Sequence, residues 1–261
     1  MTVIISNQGV IISKFVTIEK KDGVGRLRLS RADKRNAINE EMAAEIIEAM
    51  SELDADSDVI TIIIEGSDGS FCAGADMAEA NAAYERGERR FNPAQEAANR
   101  VGASEKPTIA SIDGPAYGAG AALACACDIR ICSDRTRFRF PGADYGLVVG
   151  AAALPSIVGG PTAKELIFTS RVIDADEALS IGLVNKCVSQ AEFTAAVDST
   201  ASQVAAASPL ALKWSKSTIN ASLNGGDATG LEVQADLLLR GGTDHQERFG
   251  RATARITGNR G

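Results

Sequence analysis

Residues 15–20 (FVTIEK) alternate apolar and polar positions, the period of a half-buried strand, and 24–29 (VGRLRL) follow after Asp22-Gly23. An Asp-Gly step is a turn signal, so the two segments read as a β-hairpin. Asn39-Glu40-Glu41 opens a helix with an acidic first turn, and Met42, Ile46, Ala49 and Leu53 fall at helical spacing along it. Residues 59–64 (VITIII) form an unbroken β-branched run, the pattern of a strand buried on both faces of a parallel sheet. A comparable unit recurs as a strand at Thr108–Ile112, a loop of small residues, a helix near 119–126 and a strand at 128–132. Strand, helix, strand in this order predicts α/β architecture.

From about residue 151 the pattern is mainly helical. Asp174 suits an N-cap, 178–181 finish that helix, Gly182 suits its C′ position, and 183–188 return as a strand. Residues 190–206, 209–222 and 226–240 are Ala/Leu-rich and helix-like, and a polar segment, 244–258, follows. The division expected is a core over 1–200 and a C-terminal helical region over 201–261.

Composition narrows the function. At 261 residues, 45% hydrophobic and 23% charged, the chain is long enough for one substantial core. A net charge of −7 argues against nucleic-acid binding. Arg86, Arg89 and Arg90 form a local basic cluster, read as a solvated helix face. No segment approaches the roughly twenty apolar residues needed to span a bilayer, and the first residues lack the pattern of a signal peptide. The five cysteines (Cys72, Cys125, Cys127, Cys132, Cys187) have no disulfide-framework spacing and lie mostly in apolar runs. Reduced thiols in a cytoplasmic protein, with no membrane partner, are the expectation.

Two stretches concentrate the candidate chemistry: 71–76 (FCAGAD) and 114–123 (GPAYGAGAAL). Each is a run of tiny residues between a strand-like segment and a helix. Such loops present bare backbone N–H groups at a positive helix end. Two of them facing each other would make an oxyanion hole without any side chain. Competing mechanisms lack their parts. The single histidine, His245, lies in a polar segment, which disfavours His/Cys metal clusters, and no G-x-S-x-G elbow exists. Gly69 to Gly74 has P-loop spacing, but Ala75-Asp76 follows where Lys-Ser/Thr is required. Gly118-Ala119-Gly120 has Leu123 at the third dinucleotide-fingerprint position.

Several segments in order carry a resemblance: 31–37 (RADKRNA), 71–76, 113–123, Cys127-Asp128-Ile129-Arg130, Ala178-x-x-x-Gly182-Leu183-Val184 and Ser208-Pro209-Leu210-Ala211. Together they resemble the crotonase superfamily, the enoyl-CoA hydratase/isomerase group that acts on acyl-CoA thioesters. The likeness runs from about residue 15 to 249. It implies a spiral of ββα units with a C-terminal helical region that builds trimers, often paired into hexamers. It further implies an oxyanion hole from the N–H groups of Ala75 and Ala119. Lys34, Arg35, Asn36 and Ala37, with Ala73 and Asp76, fall at the coenzyme A contacts; Asp76 and Asp128 also read as structural, Asp76 by capping. No cofactor is implied beyond the coenzyme A of the substrate.

The departures are as informative. The two glutamates of hydratases are replaced by Ala122 and Gly142, and Gly150 stands where dienoyl isomerases and dehalogenating relatives carry aspartate. Resemblance therefore supplies no general acid or base. Asp144 lies two residues beyond Gly142, and an extended backbone would aim both to one side; its other role would be to fix the 142–146 turn. Glu79 and Tyr84 follow the first loop, near the expected acyl chain. Two readings stay open: an enzyme working through a thioester enolate with relocated acid–base groups, and an acyl-CoA-binding protein without turnover. A two-glutamate hydratase is the reading rejected.

Overall fold

The computed structural model describes residues 4–5, 11–88 and 92–258. Two short strands that the pattern does not reveal, β1 (Ile4–Ile5) and β2 (Ile11–Ile12), pair antiparallel and lead into the expected hairpin of β3 (Val16–Lys21) and β4 (Val24–Leu29). Helix α1 (Glu40–Ala55) starts where its cap predicts, with the Asn39 side chain accepting from the Met42 N–H. It buries Met42, Ile46, Ala49, Met50 and Leu53 on one face.

Strand β5 (Thr61–Gly66) follows, and then α2 (Met77–Glu85) and α3 (Pro93–Gly102). The next elements are β6 (Thr108–Ile112), β7 (Pro115–Tyr117), α4 (Ala119–Ala126), β8 (Ile129–Ser133) and β9 (Arg137–Arg139). After α5 (Leu154–Val158) and α6 (Gly160–Thr169) come β10 (Val172–Asp174), α7 (Ala175–Ser180), β11 (Lys186–Val188) and α8 (Phe193–Ala205).

The large sheet has the order β1-β2-β3-β4-β5-β6-β8-β11, antiparallel as far as β4 and parallel from β4 onward. The apolar run of β5 is explained by its place at the centre. Ile62 and Ile64 face one core with Leu27, Leu29, Met42 and Ile46. Ile63 faces the opposite one with Ile109, Ile131 and the α8 residues Phe193, Val197 and Ala201. Burying each such isoleucine contributes about 1.5–3 kcal/mol.

A second layer of very short strands repeats beside the first. Its pairings run Ile38 to Ala75, Cys72 to Ala116, Ala116 to Phe138 and Phe138 to Ile173. Each turn of the chain thus places a long strand in the large sheet, a short one in this layer, and then helix: β4, Ile38 and α1; β5, 72–75 and α2–α3; β6, β7 and α4; β8, β9 and α5–α6. This is the spiral of ββα units. The candidate donors lie on the short layer, where chain turns cross closely.

The chain divides into compact units at Ala205/Ala206, the end of α8. The second unit holds α9 (Pro209–Leu223), α10 (Ala228–Leu239) and α11 (Thr243–Thr257), so the polar 244–258 segment is helical. Ser208 and Asp227 cap the first two of these helices through their side chains. Among the described residues no helix is long and apolar enough to cross a membrane.

Candidate active site

The first small-residue loop is held by backbone pairing. Ile38 N–H donates to the Gly74 carbonyl (2.8 Å) and the Ile38 carbonyl accepts from Asp76 N–H (2.9 Å). In such a bridge the intervening residue turns its own N–H to the opposite side. Ala75 is that residue, so its amide faces away from Ile38. Ala73 N–H donates to the Arg35 carbonyl (3.0 Å), tying the loop again to the 31–38 segment.

The second loop is fixed against the first. Cys72 N–H donates to the Pro115 carbonyl (3.1 Å) and Tyr117 N–H to the Cys72 carbonyl (3.0 Å). Gly118, at φ +53°, turns the chain into α4 and donates its N–H to the Arg139 carbonyl (2.9 Å). Ala119 is the first residue of α4, so its N–H has no acceptor within the helix. Among the described residues neither the Ala75 nor the Ala119 amide meets a backbone or side-chain acceptor. The two loops are in contact: a Cβ placed on Gly74 would lie 3.6 Å from the Ala119 nitrogen. Gly120 permits that approach, since a Cβ there would come within 2.2 Å of the Cys72 carbonyl oxygen.

The segment assigned to coenzyme A divides by exposure. Lys34 and Arg35 are exposed, and Ala37 and Ala73 are half-buried. Asn36, expected at the coenzyme, is wholly buried and at φ +57°. Its Nδ2 donates to the carbonyls of Ser67 and Ser70 (3.1 and 2.7 Å), and its Oδ1 accepts from Arg31 N–H (2.9 Å) and Ser67 Oγ (3.2 Å). Asn36 therefore shapes the turn instead of offering its amide to a ligand. Asp76 caps α2, accepting from the N–H groups of Ala78 and Glu79 (3.1 and 3.2 Å), and pairs with Arg31 (2.7 Å). Burial works to raise the Asp76 carboxyl; Arg31 and the two amides outweigh it and hold the group below its ordinary value. Arg31 carries the motif at its first position, yet its span to Asp76 is a tertiary contact that no spacing rule reveals. Asp128 is structural as expected, accepting from Thr108 N–H (2.7 Å) and Oγ1 (3.0 Å).

Backbone occupies the space at Gly142. A Cβ there would lie 2.9 Å from the Leu147 carbonyl oxygen and 3.1 Å from the Val149 nitrogen. Gly150 is at φ +79°, and a Cβ there would lie 3.2 Å from Phe140 Cδ1. Ala122 is buried within α4. Pro141, next to Gly142, is 3.8 Å from where a Gly118 Cβ would be, so the 141–150 loop begins beside the second donor turn. The extended backbone expected from Gly142 to Asp144 is not found. Gly142 is in the right-handed helical region and 143–145 form a 3₁₀ turn closed by Gly146 at φ +68°, so the two residues do not share a strand face. Asp144 is exposed and its Oδ2 accepts from Arg139 Nη2 (2.6 Å). Tyr145, Leu147 and Val148 stand exposed beside it, and Glu79 accepts from Glu40 N–H (2.9 Å). Tyr84 is exposed on α2.

Elsewhere, His245 Nδ1 accepts from Gly241 N–H (3.1 Å) and its ring stacks on Phe249. All five cysteines are free, and burial pushes the Cys72 thiol up to about 12. Arg86 pairs with Glu88, whereas Arg89 and Arg90 lie outside the described residues. No group of three metal-ligating side chains occurs among the described residues. A polar cavity of about 540 Å³, bordered by Arg26, Arg28, Glu65, Asp113 and Gln190, lies along the α8 face of the sheet and includes neither donor.

Comparison with known proteins agrees with this architecture. The family profile described as enoyl-CoA hydratase/isomerase matches residues 19–252. A short-chain-enoyl-CoA hydratase of Clostridium acetobutylicum is 35% identical over 226 residues, covering 85% of this chain and 87% of its own. A 4-chlorobenzoyl coenzyme A dehalogenase of Arthrobacter is 35% identical over 209 residues, covering 74% and 72%. Among solved structures, an enoyl-CoA hydratase subunit of Geobacillus kaustophilus superposes with a TM-score of 0.84 at 27% identity, covering 93% of this chain and 96% of its own. The ββα spiral, the paired small-residue loops and these likenesses lead to one conclusion: the chain belongs to the enoyl-CoA hydratase/isomerase family of enzymes.

Proposed function

We propose that this protein binds an acyl-CoA and polarises its thioester carbonyl between the amides of Ala75 and Ala119. The observation that carries the reading is the pair of unpartnered N–H groups on touching loops, one at a helix N-terminus. Proton removal or nucleophile addition beside a thioester passes through an enolate-like anion. Donors fixed in advance stabilise that anion more than the neutral carbonyl. Losing one such donor costs about 2.7–4 kcal/mol of barrier. Exposed Lys34 and Arg35 would meet the coenzyme A phosphates, with the Ala37 and Ala73 backbones alongside.

The acid–base group we assign to Asp144, the carboxylate two residues beyond Gly142 on the loop that begins beside Gly118 at Pro141. With a short 2-enoyl-CoA in deuterated water, NMR should show water addition or deuterium uptake beside the thioester. Asp144→Asn should slow it by about 10²–10⁴-fold; turnover unchanged in a stably folded variant would remove Asp144 from the assignment. Tight binding with no change in the acyl group would favour the second reading, an acyl-CoA-binding protein without turnover. That reading has its own support in Ala122 and in the filled space at Gly142. A homotrimer, or a hexamer of two trimers, in the cytoplasm completes the proposal. The apolar side chains exposed on α9 to α11 support the assembly.

A further inference from the structure

One side chain reaches from the segment assigned to coenzyme A to Asp76, the residue that follows the first donor. Arg31 Nη1 donates to the Ala37 carbonyl (2.9 Å) and pairs with Asp76 Oδ2 (2.7 Å). Both side chains are only 12% exposed, so solvent screens the pair little. The Arg31 backbone N–H is also bound, to Asn36 Oδ1, and its guanidinium lies over the Phe15 ring, 5.3 Å from the centroid. On the other side, Asp76 is the next residue after Ala75, and its own N–H is held by the Ile38 carbonyl. The carboxylate divides its work: Oδ1 caps α2, and Oδ2 is left to Arg31. A cap alone needs one oxygen, so the second contact is an added constraint on the peptide beside Ala75.

We propose that Arg31 and Asp76 are positioning residues that brace the Ile38 bridge by which the Ala75 N–H is turned outward, and that they couple this bridge to occupation of the 31–37 segment by the nucleotide end of coenzyme A. The coupling is mechanical. A ligand that draws on the 34–37 backbone moves the Ala37 carbonyl, hence the guanidinium, hence Asp76, whose own N–H is bonded to the Ile38 carbonyl in the bridge that turns the Ala75 amide. This inference rests on the assignment of Ala75 as a thioester donor. It adds that binding energy gained far from the reacting carbon is used to align that donor.

The test uses the full chain and butyryl-CoA labelled with ¹³C at the thioester carbon, observed by infrared difference spectroscopy. In the unsubstituted protein the bound carbonyl stretch should fall in frequency. Asp76→Asn retains the capping oxygen and removes the anion facing Arg31. Arg31→Lys retains a cation but not the rigid guanidinium whose Nη1 meets both the Ala37 carbonyl and Asp76 Oδ2. Each should bind butyryl-CoA within about threefold of the parent and lose at least half of the frequency shift, with kcat falling at least tenfold at little changed KM. Variants that keep the full shift and the parent Tm would overturn the positioning role. Should either variant not fold, the parent alone decides: adenosine 3′,5′-bisphosphate, which has no acyl or pantetheine part, should shift the ¹⁵N-labelled Ala75 amide resonance. An unmoved resonance at saturation overturns the coupling. Absence of any carbonyl shift in the parent would instead remove the donor assignment itself, and the positioning role with it.

Discussion

A methyl group added at Gly120 would sit 2.2 Å from the Cys72 carbonyl oxygen and 2.8 Å from its Cβ, distances at which the two loops must separate. In an exposed helix the same change would stabilise by about 0.5–1 kcal/mol. Here the sign reverses, and Gly120→Ala should destabilise by about 1–3 kcal/mol, read from the urea midpoint, and weaken acyl-CoA binding in parallel. An unchanged midpoint would show that the loops are not in contact. Asp76 gives a prediction in pH. Its carboxyl is depressed in the fold from an ordinary 3.8, so its contribution to stability is complete above that value. The contribution is lost as pH falls from there through the lower folded value. Asp76→Asn should flatten this part of the stability curve while leaving the neutral-pH slope alone; urea titrations across the acid range provide the check.

At the scale of elements, the 141–150 loop and α4 carry the departures from the two-glutamate arrangement. The Gly142 position is closed by the backbone of 147–149, so its lost side chain is not merely a missing functional group. Gly142→Glu should destabilise by about 1–3 kcal/mol, because the neighbours to be displaced are main-chain atoms. Combining it with Ala122→Glu should not install rapid crotonyl-CoA hydration. Thermal unfolding and absorbance of the enoyl thioester measure the two outcomes, and a stable, fast double variant would contradict the reading. The small second layer explains why short segments matter. β7, β9 and β10 are three residues each, yet β7 and β9 supply the Pro115 and Arg139 carbonyls that hold Cys72 and Gly118 around the second donor.

At the scale of the molecule, the second unit leaves large apolar side chains uncovered. Leu237 is 77% exposed, with Leu223, Val233 and Leu238 also open on α9 and α10. Apolar surface of this kind is a docking liability in a monomer. Sedimentation equilibrium should give a mass near three or six times the 27.2 kDa chain, and Leu237→Asp should shift the distribution toward smaller species. A parent protein that sediments as a monomer at micromolar concentration would end the assembly proposal.

Periodicity by itself determined the β3–β4 hairpin, α1 with its Asn39 cap, the central strand β5, the β6 and α4 units, and the Asp174-to-Gly182 helix with its N-cap and C′ glycine. These rest on local energetics: side-chain period, turn residues and caps act over a few positions. Order and spacing of several small-residue motifs carried the family. What lay beyond reach was set by contacts distant along the chain. Three-residue strands are too short for a period to register. Asn36 looks like a ligand contact until Ser67 and Ser70 bury it. Asp144 looks extended until Gly142 and Gly146 fold the chain into a turn. The direction of the Ala75 amide follows from Ile38 across a tertiary bridge, and Arg31 meets Asp76 across the same gap, because hydrogen-bond alternation and ion pairing depend on which segments the fold brings together.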